Sequence, residues 1–248
     1  MTVFKEKGMN RQRLDKIISS QFPVSRKEAR RDIKIGKVTV DGRVIKDFGY
    51  LADIDSEKIE YSGQAFEYKK YIYIVMNKPK GIISASSDKS RETVVDIVPE
   101  NLKRAGLFPV GRLDRDTTGI LILTDDGEFG HTVMSPKKHI PKVYEVLLDG
   151  VVTEEMCRRF EKGITLADNT VCAPAVLKPL GENKALVKIT EGKYHQIKRM
   201  FGVVGLGVDG LKRISIGGLR LPDDLSEGES RELKKEEFNG IFKEFDKF

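Results

Sequence analysis

Residues 111–127 read GRLDRDTTGILILTDDG. The middle of this stretch, Ile120-Leu121-Ile122-Leu123, is an unbroken apolar run, which predicts a strand buried on both faces. Just ahead of it Asp114 stands between Arg112 and Arg115. Guanidiniums on both sides would hold its carboxyl below the ordinary range and keep it ionised at neutral pH. That suits a nucleophile or an electrostatic stabiliser better than a general acid; a plain structural ion pair is the rival reading. The run ends in Thr124-Asp125-Asp126-Gly127, a turn. With Asp116 its two acids suggest a metal site, but adjacent carboxylates on a turn before glycine more often cap a helix.

Working outward, residues 71–76 (YIYIVM) read as a strand stopped by Asn77-Lys78-Pro79-Lys80-Gly81, a strong turn signal. A serine-rich and charged loop follows over 82–106, with a short helix expected around 94–98. Further strands are expected at 143–148, 176–180 and 185–190. Helices are expected at 128–134, 154–162, 194–204 and 233–248. This is an α+β pattern in which a mixed, mainly antiparallel sheet carries flanking helices, and it is assigned to residues 65–248.

Residues 1–64 are assigned to a smaller domain. Leu14, Ile17 and Ile18 fall at helical spacing within 11–22, and Pro23 ends that helix. Ser25-Arg26-Lys27-Glu28 has the form of a capping box, so a second helix should begin there and close at Gly36. Arg26, Arg30 and Lys34 make a basic stripe on it, with Ala29 and Ile33 on the buried side. Val38-Thr39-Val40, Asp41-Gly42 and Arg43-Val44-Ile45 then read as a hairpin, and 47–69 as a hairpin running into a linker. Between Asn10 and Lys46 eleven Lys/Arg face four acids, a charge of +7 in a chain whose total is +6. A positive end on a near-neutral body predicts a surface for a polyanion, and here for nucleic acid. A merely solvated helix face is the alternative.

The 248 residues suffice to bury a core without disulfide or metal staples. Cys157 and Cys172 lack CxxC spacing and read as reduced thiols of a cytoplasmic protein. No apolar run approaches a membrane span, and the N-terminus carries no signal-peptide core. His131, His139 and His195 form no HxxxH or HExxH pattern. No G-x-S-x-G, GxxxxGK[ST] or GxGxxG occurs, so neither a serine-hydrolase elbow nor a nucleotide cofactor is indicated. Residues 191–200 (EGKYHQIKRM) crowd donors around the start of a helix: Lys193, His195, Gln196, Lys198 and Arg199. Such a cluster can hold an anion or a partner carboxylate.

Four motifs in register resemble the RNA pseudouridine synthases, and most of all the RsuA-type branch that acts on small-subunit ribosomal RNA. They are Gly111-Arg112-Leu113-Asp114 with Asp116-Thr117-Thr118-Gly119, the Asn77–Gly81 turn, Lys142-Val143-Tyr144, and the segment 191–200. The two-helix-plus-hairpin unit is similar to a small RNA-binding module shared with a ribosomal protein. The resemblance covers about residues 10–235. It implies that a specific uridine of ribosomal RNA, free or in a pre-ribosomal particle, is isomerised without metal or cofactor. Asp114 would be the essential carboxylate, attacking sugar or base or assisting loss of the base. Lys198 would be its basic partner, and Tyr144 the aromatic that packs on the target base. Arg112 would hold the loop or help extrude the uridine. Arg26, Arg30, Arg31, Lys34, Lys193, His195, Gln196 and Arg199 would contact the RNA, so binding should weaken with salt. A monomer is expected.

Two features depart from the family pattern: Arg115, where a smaller residue is usual, and the glycine-rich stretch 205–210. Three rival readings stand beside the first. They are a large-subunit enzyme, a non-catalytic ribosome-assembly factor, and a metal-dependent RNA hydrolase using Asp114, Asp116 and Asp125.

Overall fold

The computed structural model describes residues 10–243, which divide into two compact units. The first holds residues 10–72 together with 103–107. It begins with β1 (Arg11–Arg13), where a helix was expected, because these residues pair with β4 (Leu51–Asp53) before the chain turns helical. Helix α1 (Leu14–Gln21) buries Leu14, Ile17, Ile18 and Gln21, the i, i+3, i+4, i+7 face of an amphipathic helix. Helix α2 (Arg26–Lys34) opens on a complete capping box: the Ser25 hydroxyl accepts from the Glu28 amide, and the Glu28 carboxylate accepts from the Ser25 amide. Strands β2 (Val38–Val40) and β3 (Arg43–Val44) meet at Asp41 and Gly42, both at positive φ as the tight hairpin turn requires.

The expected linker is instead part of this fold. Strand β5 (Ile59–Tyr61) pairs with β2 and with β6 (Gln64–Ala65), and Phe66 and Tyr68 pack against the same core. The division of the chain therefore falls after Ile72, later than the 64/65 boundary read from composition. Arg104, from the 103–107 excursion, donates to the Gln21 side chain and to the Lys69 carbonyl.

The second unit is built on a nine-stranded sheet. Strand β7 (Tyr73–Lys78) lies antiparallel to β9 (Thr118–Thr124), whose C-terminal end also receives β8 (Phe108–Pro109) from earlier in the chain. Ile120, Leu121, Ile122 and Leu123 are all fully buried, as the apolar run predicted. Residues 94–98 form turns in place of the expected helix. Asp96 accepts from the amide and hydroxyl of Thr93, a local bond that competes with helix, and Pro99 follows.

Asp126 caps α3 (Gly127–Met134), as the turn acids suggested, by accepting from the amides of Glu128 and Phe129. Strand β10 (Lys142–Leu148), helix α4 (Glu154–Lys162), strands β11 (Val176–Pro179) and β12 (Lys184–Ile189), and helix α5 (Gln196–Val203) follow near their expected places. The sheet then gains β13 (Val208–Ile216), β14 (Leu219–Arg220) and β15 (Ser230–Glu232), and the chain passes into α6 (Lys235–Gly240). Helix α6 is shorter than the expected 233–248 helix, and residues 244–248 of that expectation lie outside the described residues.

Strand β13 carries the architecture. It runs antiparallel to β10 and parallel to β9, which puts the Asp114 loop, ahead of β9, beside strands from much later in the chain. Gly119 makes the parallel contact possible: its φ is +102°, and a Cβ there would sit 2.2 Å from the Arg213 carbonyl oxygen. One apolar cluster packs α4 and α5 on β10–β13 through Val146, Phe160, Val187 and Phe201; another gathers Val75, Ile122, Phe129 and Ile241. Cys172 is buried in the first and Cys157 is half-buried; both are free thiols. No helix among the described residues is long and apolar enough to cross a membrane.

Candidate active site

Asp114 sits on the loop between β8 and β9, and that loop is pinned from beneath by a residue without an assigned role in the sequence reading. Lys78, at the end of β7, is fully buried. Its ammonium donates to the carbonyls of Pro79, Asp114 and Thr117 at 3.0, 3.2 and 2.9 Å. Burial pushes its pKa down to about 8, against the pull of Asp116 and Asp114. Ser84 holds the same loop through paired bonds with the Leu113 backbone, and Leu113 is buried. The Asn77–Gly81 motif thus reads as a turn in sequence, yet its lysine is the tether of the loop.

The flanking arginines are not what faces Asp114. Arg115 turns away: its Nε donates to the Gly81 carbonyl, while its own carbonyl accepts from the Gly81 amide. Arg112 is exposed at the cleft wall and makes no ion pair among the described residues. The basic side chains that reach Asp114 come from the 191–200 segment, with His195 Nε2 at 3.5 Å and Lys198 Nζ at 4.0 Å. Adjacent positions in sequence project in different directions from an irregular loop, so contiguity was a poor guide to contact. The second departure, the 205–210 stretch, leads into β13, where the Gly207 amide donates to Asp149.

Within the segment, the donors divide. His195 adopts the left-handed conformation (φ 46°) as the residue before α5, and its ring stacks on that of Tyr194, which is exposed. Lys198, one turn into α5, places its ammonium 2.6 Å from both Asp116 oxygens, and this bond holds the Asp116 carboxyl below its usual range. Gln196 is buried and used internally, accepting from the Lys193 amide and donating to Glu191. Lys193 pairs with Glu191, and Arg199 with Asp168. Arg199 lines neither part of the cleft. Only His195 and Lys198 of the five predicted donors thus bear on Asp114.

Asp114 and Tyr144 line a cleft of about 1030 Å³, continuous in its walls with a recess of about 90 Å³ that Lys198 and Gln196 help to form. Tyr144 is 8% exposed, and its register partner across the sheet is Arg213. A cleft of this size holds a nucleotide-sized ligand. Among the described residues no group of His, Cys, Asp and Glu is arranged to hold a metal ion. Asp116 is instead committed to Lys198, and Asp126 to the cap of α3.

In the first unit the basic stripe is organised by an acid. Asp15, fully buried, accepts from Arg13, Arg26 and Arg30. Burial acts to raise its pKa, and the three guanidinium bonds outweigh that and hold it far below the carboxylate range. Arg30 and Lys34 also lie over the Phe48 ring, at 5.2 and 5.5 Å from its centre, while Arg31 stands near Asp32.

Comparison with known proteins agrees with both units. A family model described as RNA pseudouridylate synthase matches residues 72–202, and one described as S4 domain matches residues 12–57. A Bacillus subtilis protein named as an uncharacterized RNA pseudouridine synthase is 40% identical, over 92% of this chain and 97% of its own. The Escherichia coli protein named ribosomal small subunit pseudouridine synthase A is 37% identical, over 92% of this chain and 99% of its own. A crystal structure described as a pseudouridylate synthase superposes with a TM-score of 0.65 at 33% identity, over 92% and 99% of the two chains. The chain belongs to the RNA pseudouridine synthase family and carries an S4 domain at its N-terminal end. It is an enzyme of that family, with the fold class that its sequence predicted.

Proposed function

We propose that this enzyme converts a specific uridine of ribosomal RNA to pseudouridine, with small-subunit RNA as the substrate class, in the cytoplasm and without metal or cofactor. The reading rests on one arrangement: Asp114, held by a buried lysine, opens into a nucleotide-sized cleft beside Tyr144 with His195 and Lys198 as its basic neighbours. The reaction breaks the bond from C1′ to N1 and forms one from C1′ to C5. A proton leaves C5 and one is gained at N1, so neither water nor a redox partner is consumed. A carboxylate that captures or stabilises an electron-poor sugar carbon serves that step, as in glycoside chemistry. Lys198 is the basic partner of Asp114, Tyr144 packs on the extruded base, and Arg112 occupies its place in the RNA stack. The S4 domain supplies phosphate contacts through Arg26, Arg30, Arg31 and Lys34. Small-subunit RNA is favoured by the relative of that name, which spans nearly the same length.

The test is tritium release from ribosomal RNA transcripts labelled at uridine C5, comparing wild type with Asp114→Asn. Release from small-subunit RNA by the wild type alone supports the reading. Release from large-subunit RNA instead moves the substrate class. RNA binding without any release by the wild type returns the assembly-factor alternative, and full activity of Asp114→Asn removes Asp114 from its role.

A further inference from the structure

The cleft has a second charged region. Arg213, on β13, is 4% exposed; its Nε donates to the Ile120 carbonyl at 2.9 Å, and its buried Nη2 has no hydrogen-bond partner. Lys142 begins β10 two residues before Tyr144, on the same face of that strand, and lines the cleft with Tyr144 and Arg213. No hydrogen bond or ion pair engages the Lys142 ammonium among the described residues. Burial, with Arg213 close by, pushes its pKa down to about 8, and no acid offsets either effect.

The acids of the cleft wall are committed elsewhere. Asp88 bonds to Ser90 and Arg91, Glu191 to Lys193 and Gln196, and Asp114 faces His195 and Lys198. Two neighbouring cations withdrawn from water without a counter-charge oppose folding, and an apolar pair would serve a purely structural role better. The arrangement becomes favourable when an anion enters. A neutral uracil carbonyl would satisfy Nη2 but leave the mutual repulsion of the two cations intact. A phosphate oxygen answers both, with the planar guanidinium and the point-charge ammonium supplying complementary donors.

We infer that Lys142 and Arg213 form a phosphate subsite that takes a phosphodiester flanking the target uridine and so fixes the nucleotide relative to Asp114. This rests on the proposed reaction for the identity of the nucleotide, but its test is separable. RNA substrates are made with a single neutral methylphosphonate on the 5′ or the 3′ side of the target, and binding and tritium release are measured for wild type, Lys142→Met and Lys142→Arg. Wild type should lose about tenfold or more in affinity at one of the two positions. Lys142→Met should lose affinity on ordinary RNA and be clearly less sensitive to the neutral linkage than wild type, the remaining sensitivity coming from Arg213. Lys142→Arg should restore both the affinity and the sensitivity. Losses that simply multiply, or a wild type insensitive to both linkages, would overturn the subsite. The linkage effect in wild type requires no mutation, so misfolding of a variant does not blur the result. Failure of the reaction itself shows separately, as absence of tritium release from ordinary RNA that is still bound.

Discussion

The Lys198 ammonium lies 2.6 Å from both carboxylate oxygens of Asp116 and 4.0 Å from Asp114. The lysine beside Asp114 is therefore bonded to a different acid two positions along the same loop. Asp116 holds the cation near Asp114 while leaving the Asp114 oxygens free of a direct lysine hydrogen bond. A carboxylate that must approach a sugar or base is better served by that spacing than by a tight ion pair.

Asp116→Asn should therefore let Lys198 close on Asp114 and lower kcat about tenfold, with KM little changed, since the loss falls on an interaction of the reacting group. Asp116→Glu, which retains the charge, should recover part of the rate. Equal activity of the Asn variant and wild type in single-turnover tritium release would show that Asp116 merely decorates the surface.

Lys78→Met should be more damaging than its distance from solvent suggests. It strips a donor from three loop carbonyls at once and leaves them buried without partners. Displacement of Asp114 by about an ångström is enough to lower the rate about a hundredfold. RNA affinity, read by filter binding, should change far less than turnover. A variant with normal turnover would show that Ser84 and Leu113 alone hold the loop.

How much of this was legible follows from how local each signal is. The capping box at Ser25, the Asp41-Gly42 hairpin and the apolar β9 are encoded within a few residues, and they form as read. Strand β13 was not read because Gly207 and Gly210 and the charged Lys212-Arg213 pair interrupt its alternation. Yet Leu211, Arg213 and Ser215 all point inward, and β13 places the site. Arg112 and Arg115 adjoin Asp114 in sequence without pairing with it, while Lys198, 84 positions later, is recognisable only through family resemblance. Lys78 was missed because nothing local distinguishes a buried lysine from an exposed one in a turn.

Asp15 gives the first unit a pH dependence whose sign is fixed. Its folded pKa is depressed, so its contribution to stability is complete well above the unfolded value of about 4 and is lost as pH falls below it. Asp15→Asn should destabilise the unit by about 2 kcal/mol at pH 7, because the three arginines it leaves can return to water. Hydrogen exchange of the α1 and α2 amides in the full chain should show the two proteins far apart at pH 7 and only part of that gap closed at pH 3, where the depressed folded pKa still keeps Asp15 ionised. A difference that persists unchanged at low pH would place the effect in packing and not in the charge.

Lys34 and Arg30 share the Phe48 ring but should differ in what their loss does. Arg30 is bonded to buried Asp15 at 2.7 Å, whereas Lys34 has no ion pair among the described residues and ends α2 facing solvent. Lys34→Ala should lower RNA affinity almost uniformly across sequences and reduce the slope of log K against log salt by about 1, with stability unchanged. Arg30→Ala should produce the same change in slope and, in addition, faster exchange in α1, since Asp15 then loses one of the bonds that offset its burial. Salt titrations of both variants, run beside their exchange profiles, separate the two roles. If neither slope changes, the basic face of α2 does not touch phosphate, and the RNA contacts of this unit must lie on another of its surfaces.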